Sequence, residues 1–151
     1  MTRLDYSGFD YEKVYIKEAI NIFPELSNKL HILDISNEVP PLCDITICSA
    51  TLEHLQYLHL GLDNMLSSPK NLVLLRTFLG KTNSKSINFQ KGAISPYNIH
   101  QFSFHEIFES FKKNGFSAKI IRDSYTDSLP CYIGNGIIRT FYIVLGERIQ
   151  K

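Results

Sequence analysis

The chain has 151 residues, of which 44 % are hydrophobic and 21 % charged, with a formal net charge of +1. This is enough apolar material for one domain with a real core, and too little net charge for an electrostatic case for nucleic acid or an anionic membrane surface. The three cysteines, Cys43, Cys48 and Cys131, are odd in number and form no CxxC pair, which argues against a disulfide framework or a zinc ribbon and for a reduced, cytoplasmic setting.

No apolar stretch approaches the roughly 20 residues that a membrane-spanning helix requires, and the residues after Met1 are too polar for a signal peptide. Lys81, Lys85 and Lys91 share one polar stretch, which reads as a solvated loop rather than a phosphate track. Short apolar runs alternate with helical patterns, the mark of an α/β domain.

Tyr6–Phe9 is the first predicted strand, ending at Asp10. A helix is predicted from Glu12 to Phe23, because Ile16, Ala19, Ile20 and Phe23 recur at the spacing of one helical face, and Pro24 closes it. A strand over Leu30–Leu33 ends at Asp34, no helical pattern follows, and Val39-Pro40-Pro41 forms a rigid loop. Asp44–Ser49 is nearly continuous in apolar character, which predicts a strand buried on both faces, with Cys43 and Cys48 as small buried residues. A helix is expected from about Leu52 to Ser67, with Leu55, Leu58, Leu62 and Met65 as its buried stripe, and a strand over Asn71–Thr77.

Gly80 to Gln101 shows neither period and reads as a long connection, the usual place for a lid or binding loop. Ser103-Phe104-His105-Glu106 is a capping box that opens a helix with Phe104, Ile107, Phe108 and Phe111 on one face, ended by Gly115. Ala118–Arg122 and Ile137–Leu145 are the last predicted strands, with Tyr125–Gly136 as a loop. No helix separates these two strands, so they are expected to pair antiparallel.

Parallel strands followed by an antiparallel last strand, together with YSGFDYEKVYIKEA, HILDIS, CDITICSATLEHL, GFSAKII and GIIRTFYIVLGE, resemble the class I, Rossmann-like S-adenosylmethionine-dependent methyltransferases from their second strand to their seventh. The resemblance covers the whole chain. It implies an α/β fold whose sheet is mostly parallel, in the order three-two-one-four-five-seven-six, with strand seven antiparallel. The family's glycine-rich turn after its first strand has no counterpart here, and Met1 lies just before the presumed second strand. The expectation is a single partial methyltransferase domain over residues 1–151, lacking the first strand and helix. The central sheet position is then either closed by direct pairing of its neighbours or left open, inviting a second copy or a complementing chain.

The resemblance also implies site residues. Asp10, with Tyr11 beside it, would take the cofactor's ribose hydroxyls, and the alternative for Asp10 is a helix-start acid. Asp34 would read the adenine amino group with Ile35 on the ring, or Asp34 simply opens a loop by bonding local backbone. Ser49, Ala50 and Thr51 are small residues that leave room for cofactor and acceptor. Glu53 is an ordinary first-turn acid, whereas His54 is either a general base or a structural histidine. Arg76, Tyr97, His100 and Gln101 line an acceptor pocket or serve packing and surface roles.

The histidines show no spacing of a known metal site. The implied reaction is methyl transfer from S-adenosylmethionine to a small-molecule acceptor. The competing reading is a non-catalytic interaction module. Another Rossmann-like nucleotide enzyme fares worse, since it too needs a glycine-rich phosphate turn.

Overall fold

The computed structural model describes residues 4–88 and 97–150. Lys91 lies outside them, as does part of the connection predicted between Gly80 and Gln101.

Strands β1 (Gly8–Asp10) and β2 (Leu30–Ile32) pair in parallel around helix α1 (Lys13–Ile22) and form a sheet of their own. The predicted α1 stripe is only half covered: no residue of the helix is buried, and Phe23 is half exposed. Two three-residue strands are too small a surface to cover a three-turn helix. After α1, Pro24 does not simply stop the chain but begins a single 3-10 turn, Pro24–Leu26.

The main sheet is built on β4 (Pro69–Gly80), longer at both ends than predicted. β3 (Cys43–Ser49) runs parallel to β4 along residues 69–76. β10 (Phe141–Arg148) runs antiparallel to β4 and to β7 (Phe116–Arg122). The order β3-β4-β10-β7 with β10 reversed is the expected ending of a methyltransferase sheet. β1 and β3 do not pair with each other, so the central position is not closed up.

Helices α2 (Leu58–Ser67) and α3 (Phe104–Lys113) cover one face of this sheet. Leu62, Met65 and Leu66 from α2 and Ile107 and Phe111 from α3 pack on Cys48, Val73, Leu75 and Val144, all buried. The opposite face carries Ile45, Ile47, Leu72, Leu74, Ile121 and Ile143, since side chains alternate across a strand. Ile45 is 51 % and Ile47 71 % exposed. β3 is therefore an edge strand covered on one face, not the doubly buried strand its composition predicts, and Cys43 is only half buried. The two sheets meet where Ile35 packs against the main core and its carbonyl accepts a hydrogen bond from Asn64 Nδ2 at 2.9 Å.

Several expected element boundaries are corrected. The helix predicted over 52–67 is broken. Leu52–His54 forms a 3-10 turn, Leu55 is extended, and α2 starts only at Leu58. The break lets the Leu55 side chain fold back onto Gly61, where an added Cβ would lie 2.3 Å from Leu55 Cδ1.

The predicted loop from Gly80 to Gln101 contains an antiparallel pair, β5 (Ser84–Asn88) and β6 (Tyr97–Ser103), and β6 joins β4 at Leu79–Gly80. Burial on both faces of β6, with Asn98 and His100 alternating against Ile99, hides its two-residue period. The predicted Ile137–Leu145 strand is two, because β9 (Ile137–Arg139) leaves the main sheet at Thr140 to form a hairpin with β8 (Cys131–Gly134), inside the predicted Tyr125–Gly136 loop. This hairpin and β6 share a second small core of Phe78, Ile99 and Ile137.

The capping box is confirmed in half. Ser103 Oγ accepts from the Glu106 N–H at 3.1 Å, and Gly115 ends the helix at φ +80°. Among the described residues no helix is long and apolar enough to cross a membrane.

Candidate functional site

The ends of β1 and β2 are tied together by the Leu33 N–H, which donates to the Asp10 carbonyl at 3.0 Å. Asp10 Oδ1 accepts the Glu12 N–H at 2.8 Å, an Asx-type bond that starts α1 and leaves Oδ2 for a further donor. Tyr11 beside it is 63 % exposed. Asp34 is more heavily engaged: Oδ1 accepts the Ser36 N–H at 2.9 Å, and Oδ2 accepts Asn37 Nδ2 at 2.6 Å. It thus fills the loop-opening role in full. Ile35 is half buried, packed on one side against the main core.

At the end of β3 the chain makes a sharp turn. Ala50 has φ +53°, a conformation costly for a side chain with a Cβ, and its N–H donates to the Arg76 carbonyl at 2.9 Å. The turn drives Leu52 and Glu53 inward, and both are fully buried. Glu53 Oε2 accepts from Thr77 Oγ1 at 3.0 Å, while Oε1 is buried without a partner. Burial raises this carboxyl's pKa, against the pull of its own backbone N–H and of His54. Glu53 is therefore not the solvated first-turn acid expected from its place after Leu52. His54, one residue on, is exposed. Its Nδ1 lies 2.8 Å from the Asn98 carbonyl, and its ring meets the Tyr97 ring edge-on at 5.5 Å.

Arg76 is already occupied. Its Nη2 donates to Asp123 Oδ2 at 3.0 Å, and its guanidinium lies 3.8 Å from the centre of the Phe141 ring. The Arg76 bond and two further donors hold Asp123 down at about 2 against its burial. His100 is buried, and burial lowers its pKa against the pull of the Leu55 backbone.

The structure thus brings together His54 with Tyr97, and Ala50 with Arg76. It places His100 behind the surface, and Gln101 on a different wall, where its amide donates to the Thr82 carbonyl at 3.0 Å. Asp123 was not anticipated. Its own local sequence, Asp-Ser-Tyr-Thr, carries a turn signal, since Thr126 Oγ1 and the Tyr125 N–H both donate to it. Nothing in sequence marks a partner 47 positions away.

Against S-adenosylmethionine, these residues fit the nucleoside side in part. Asp10 keeps one oxygen free for a ribose hydroxyl, and Ser49 and Ala50 keep the end of β3 narrow. Asp34 is bonded within its own loop, Ile35 is half covered by the main core, and no described turn offers a glycine-rich cradle for the methionine portion.

No protein-family profile and no curated protein sequence matches the chain. Among solved structures it is similar to the N-terminal domain of EvdMO1 with S-adenosylhomocysteine bound, at 12 % identity and a TM-score of 0.65, covering 93 % of this chain and 63 % of that one. It is also similar to an S-adenosylmethionine-dependent methyltransferase from Clostridium acetobutylicum, at 12 % identity and a TM-score of 0.63, covering 94 % and 74 %. A third is the magnesium protoporphyrin IX methyltransferase of Synechocystis with S-adenosylmethionine bound, at 15 % identity and a TM-score of 0.58, covering 94 % and 58 %. The chain therefore has the class I methyltransferase fold. It spans less than two thirds of the length of the first of these structures.

Proposed function

We propose that this chain belongs to an S-adenosylmethionine-dependent methyltransferase acting on a small-molecule acceptor in the cytoplasm. The observation that carries the reading is the β3-β4-β10-β7 order with β10 reversed, in a fold similar to methyltransferases of known structure. The small-molecule class is supported by one such neighbour being named for magnesium protoporphyrin IX.

When bound, the cofactor supplies an electrophilic methyl group, and the protein supplies position and exclusion of water. Asp10 Oδ2 takes the ribose hydroxyls, with the Tyr11 ring beside them. Asp34 and Ile35 shape the nucleobase side from behind, and the Ser49-Ala50 turn leaves room at the centre. His54, steadied by the Asn98 carbonyl and Tyr97, accepts or orients a proton. Arg76 and His100 hold the acceptor side in shape.

The described residues lack a cradle for the methionine portion, so the expected dissociation constant of the chain for S-adenosylhomocysteine is above about 100 µM. Ligand-observed NMR measures this, and Asp10→Ala should weaken the binding about tenfold further. Low-micromolar binding indifferent to Asp10→Ala would overturn the assignment.

Among the described residues no strand pairs with the second edges of β1 and β3, and these edges with the open face at Ile45 and Ile47 favour a second reading, a unit completed by another chain or a second copy. Sedimentation velocity separates the two. Concentration-dependent association supports the second reading, and a clean monomer that binds no hydrophobic dye counts against it.

A further inference from the structure

A groove opens where α2 and α3 begin, between the first turn of α2, the β5–β6 pair and the first turn of α3. In its lining His59 Nε2 lies 3.0 Å from Glu106 Oε1. The reason lies in the half-made capping box. Asn83 Oδ1 takes the Ser103 N–H at 2.5 Å, so the Glu106 carboxylate is not needed for capping and turns to His59 instead. Glu106 Oε2 is buried without a partner. With hydrogen on Nε2 facing Glu106, Nδ1 is the accepting nitrogen, and the His59 side chain is 71 % exposed.

Tyr57 and Leu60, both more than half exposed, make an apolar wall. Facing them is Lys85, which is paired with His100 and leaves β5 on the face opposite to Ser84 and Gln101. Gln101 lies over Gly80, where a Cβ would stand 2.2 Å from Gln101 Nε2, so the glycine makes the space that the amide occupies. Among the described residues no carboxylate pairs with Lys85. A free ammonium, an apolar wall and an imidazole whose basic nitrogen is open are complementary to a small ring bearing a carboxylate and a hydroxyl.

We propose that this groove binds a small cyclic hydroxy acid. Its ring lies on Tyr57 and Leu60, its carboxylate on Lys85, and its hydroxyl donates to His59 Nδ1, with Glu106 holding the imidazole in place. Calling this ligand the methyl acceptor rests on the methyltransferase reading; the binding itself does not.

The test is an NMR titration of the full chain, without cofactor, using three probes: para-hydroxybenzoate, benzoate, and the methyl ester of para-hydroxybenzoate. The expected result is saturable shifts at Tyr57, His59 and Lys85 with a dissociation constant of about 1 mM or below for para-hydroxybenzoate. Lys85→Ala should weaken the acids about tenfold and leave the ester unchanged. His59→Ala should weaken the two hydroxylated probes and leave benzoate unchanged. Both side chains are exposed, and circular dichroism confirms that each variant folds. No saturable binding at the groove, or equal losses for all three probes, overturns the proposal. Groove binding without any response to S-adenosylhomocysteine leaves the site standing and removes the acceptor role. The converse leaves the enzyme reading and removes this site.

Discussion

Asp123 and Glu53 are both buried carboxyls within reach of Arg76, yet their environments push them in opposite directions. Asp123 receives the Arg76 guanidinium, the Thr126 hydroxyl and the Tyr125 N–H, and its pKa falls to about 2. A depressed folded pKa adds stability above the ordinary aspartate range and loses it as pH falls toward the folded value. The shift corresponds to about 2 kcal/mol. Asp123→Asn should therefore unfold more easily in urea at about pH 7 by that order, with the gap to the parent closing as the pH falls through about 4 toward 2. Glu53 is completely buried, and its own backbone N–H, His54, Thr77 and Arg76 do not offset that burial, so its pKa is raised. The sign reverses: the folded state holds the proton more tightly, so stability drops as pH rises from the ordinary glutamate range through the folded value. Glu53→Gln keeps an acceptor for Thr77 and should show a flatter melting temperature than the parent as the pH rises above the ordinary glutamate range in thermal scans.

At the level of elements, α3 is the segment whose sequence and structure agree best, because its signals are all local: a Ser N-cap, an i, i+3, i+4, i+7 apolar face and a left-handed Gly115. Its packing sets a constraint that no local signal carries. Gly146 of β10 lies under the Phe111 ring, and a Cβ there would meet Phe111 Cε1 at 2.4 Å and Cδ1 at 2.6 Å. Phe111 is fully buried and also meets Phe116 edge-on at 6.2 Å, so it has little room to move. Gly146→Ala should cost about 1–3 kcal/mol in chemical denaturation, the usual range for overpacking. The elements misjudged from sequence share one cause. Leu55–Tyr57, β5–β6 and β8–β9 are all short, and even the hairpin β8–β9, which turns on Asn135 and Gly136 at φ +51° and +75°, is held in place by packing on Phe78 and Ile99 outside it. A periodicity argument sees one surface only.

For the whole molecule the decisive feature is asymmetry. One face of the main sheet is sealed by α2 and α3, and the other presents Ile45, Ile47 and Ile121, each more than two-fifths exposed. A contiguous apolar sheet face beside two free strand edges promotes association. Ile47 is an exposed β-branched residue whose replacement removes little packing, so Ile47→Asp should lower the tendency to associate in sedimentation velocity with less than about 1 kcal/mol change in stability. If the variant associates as strongly as the parent, the open face is not the route of association.

The order of the main strands, the reversed last strand and the start and end of α3 could be read from the sequence, because hydrophobic period, caps and chain order are written in neighbouring residues. The likeness to methyltransferases rested on the same features. The sequence also offered Asp10, Asp34, Ala50 and His54 as site candidates, since each follows a predicted strand. Only the tertiary structure decided which of them keep free chemistry. It bonded Asp34 within its own loop, leaned Ile35 against the core, and locked Arg76 to Asp123. It also buried His100 and brought His59 to Glu106 across 47 residues. Those outcomes depend on which distant groups share a small buried volume, and burial is what makes an unpaired polar atom costly enough to choose its partner.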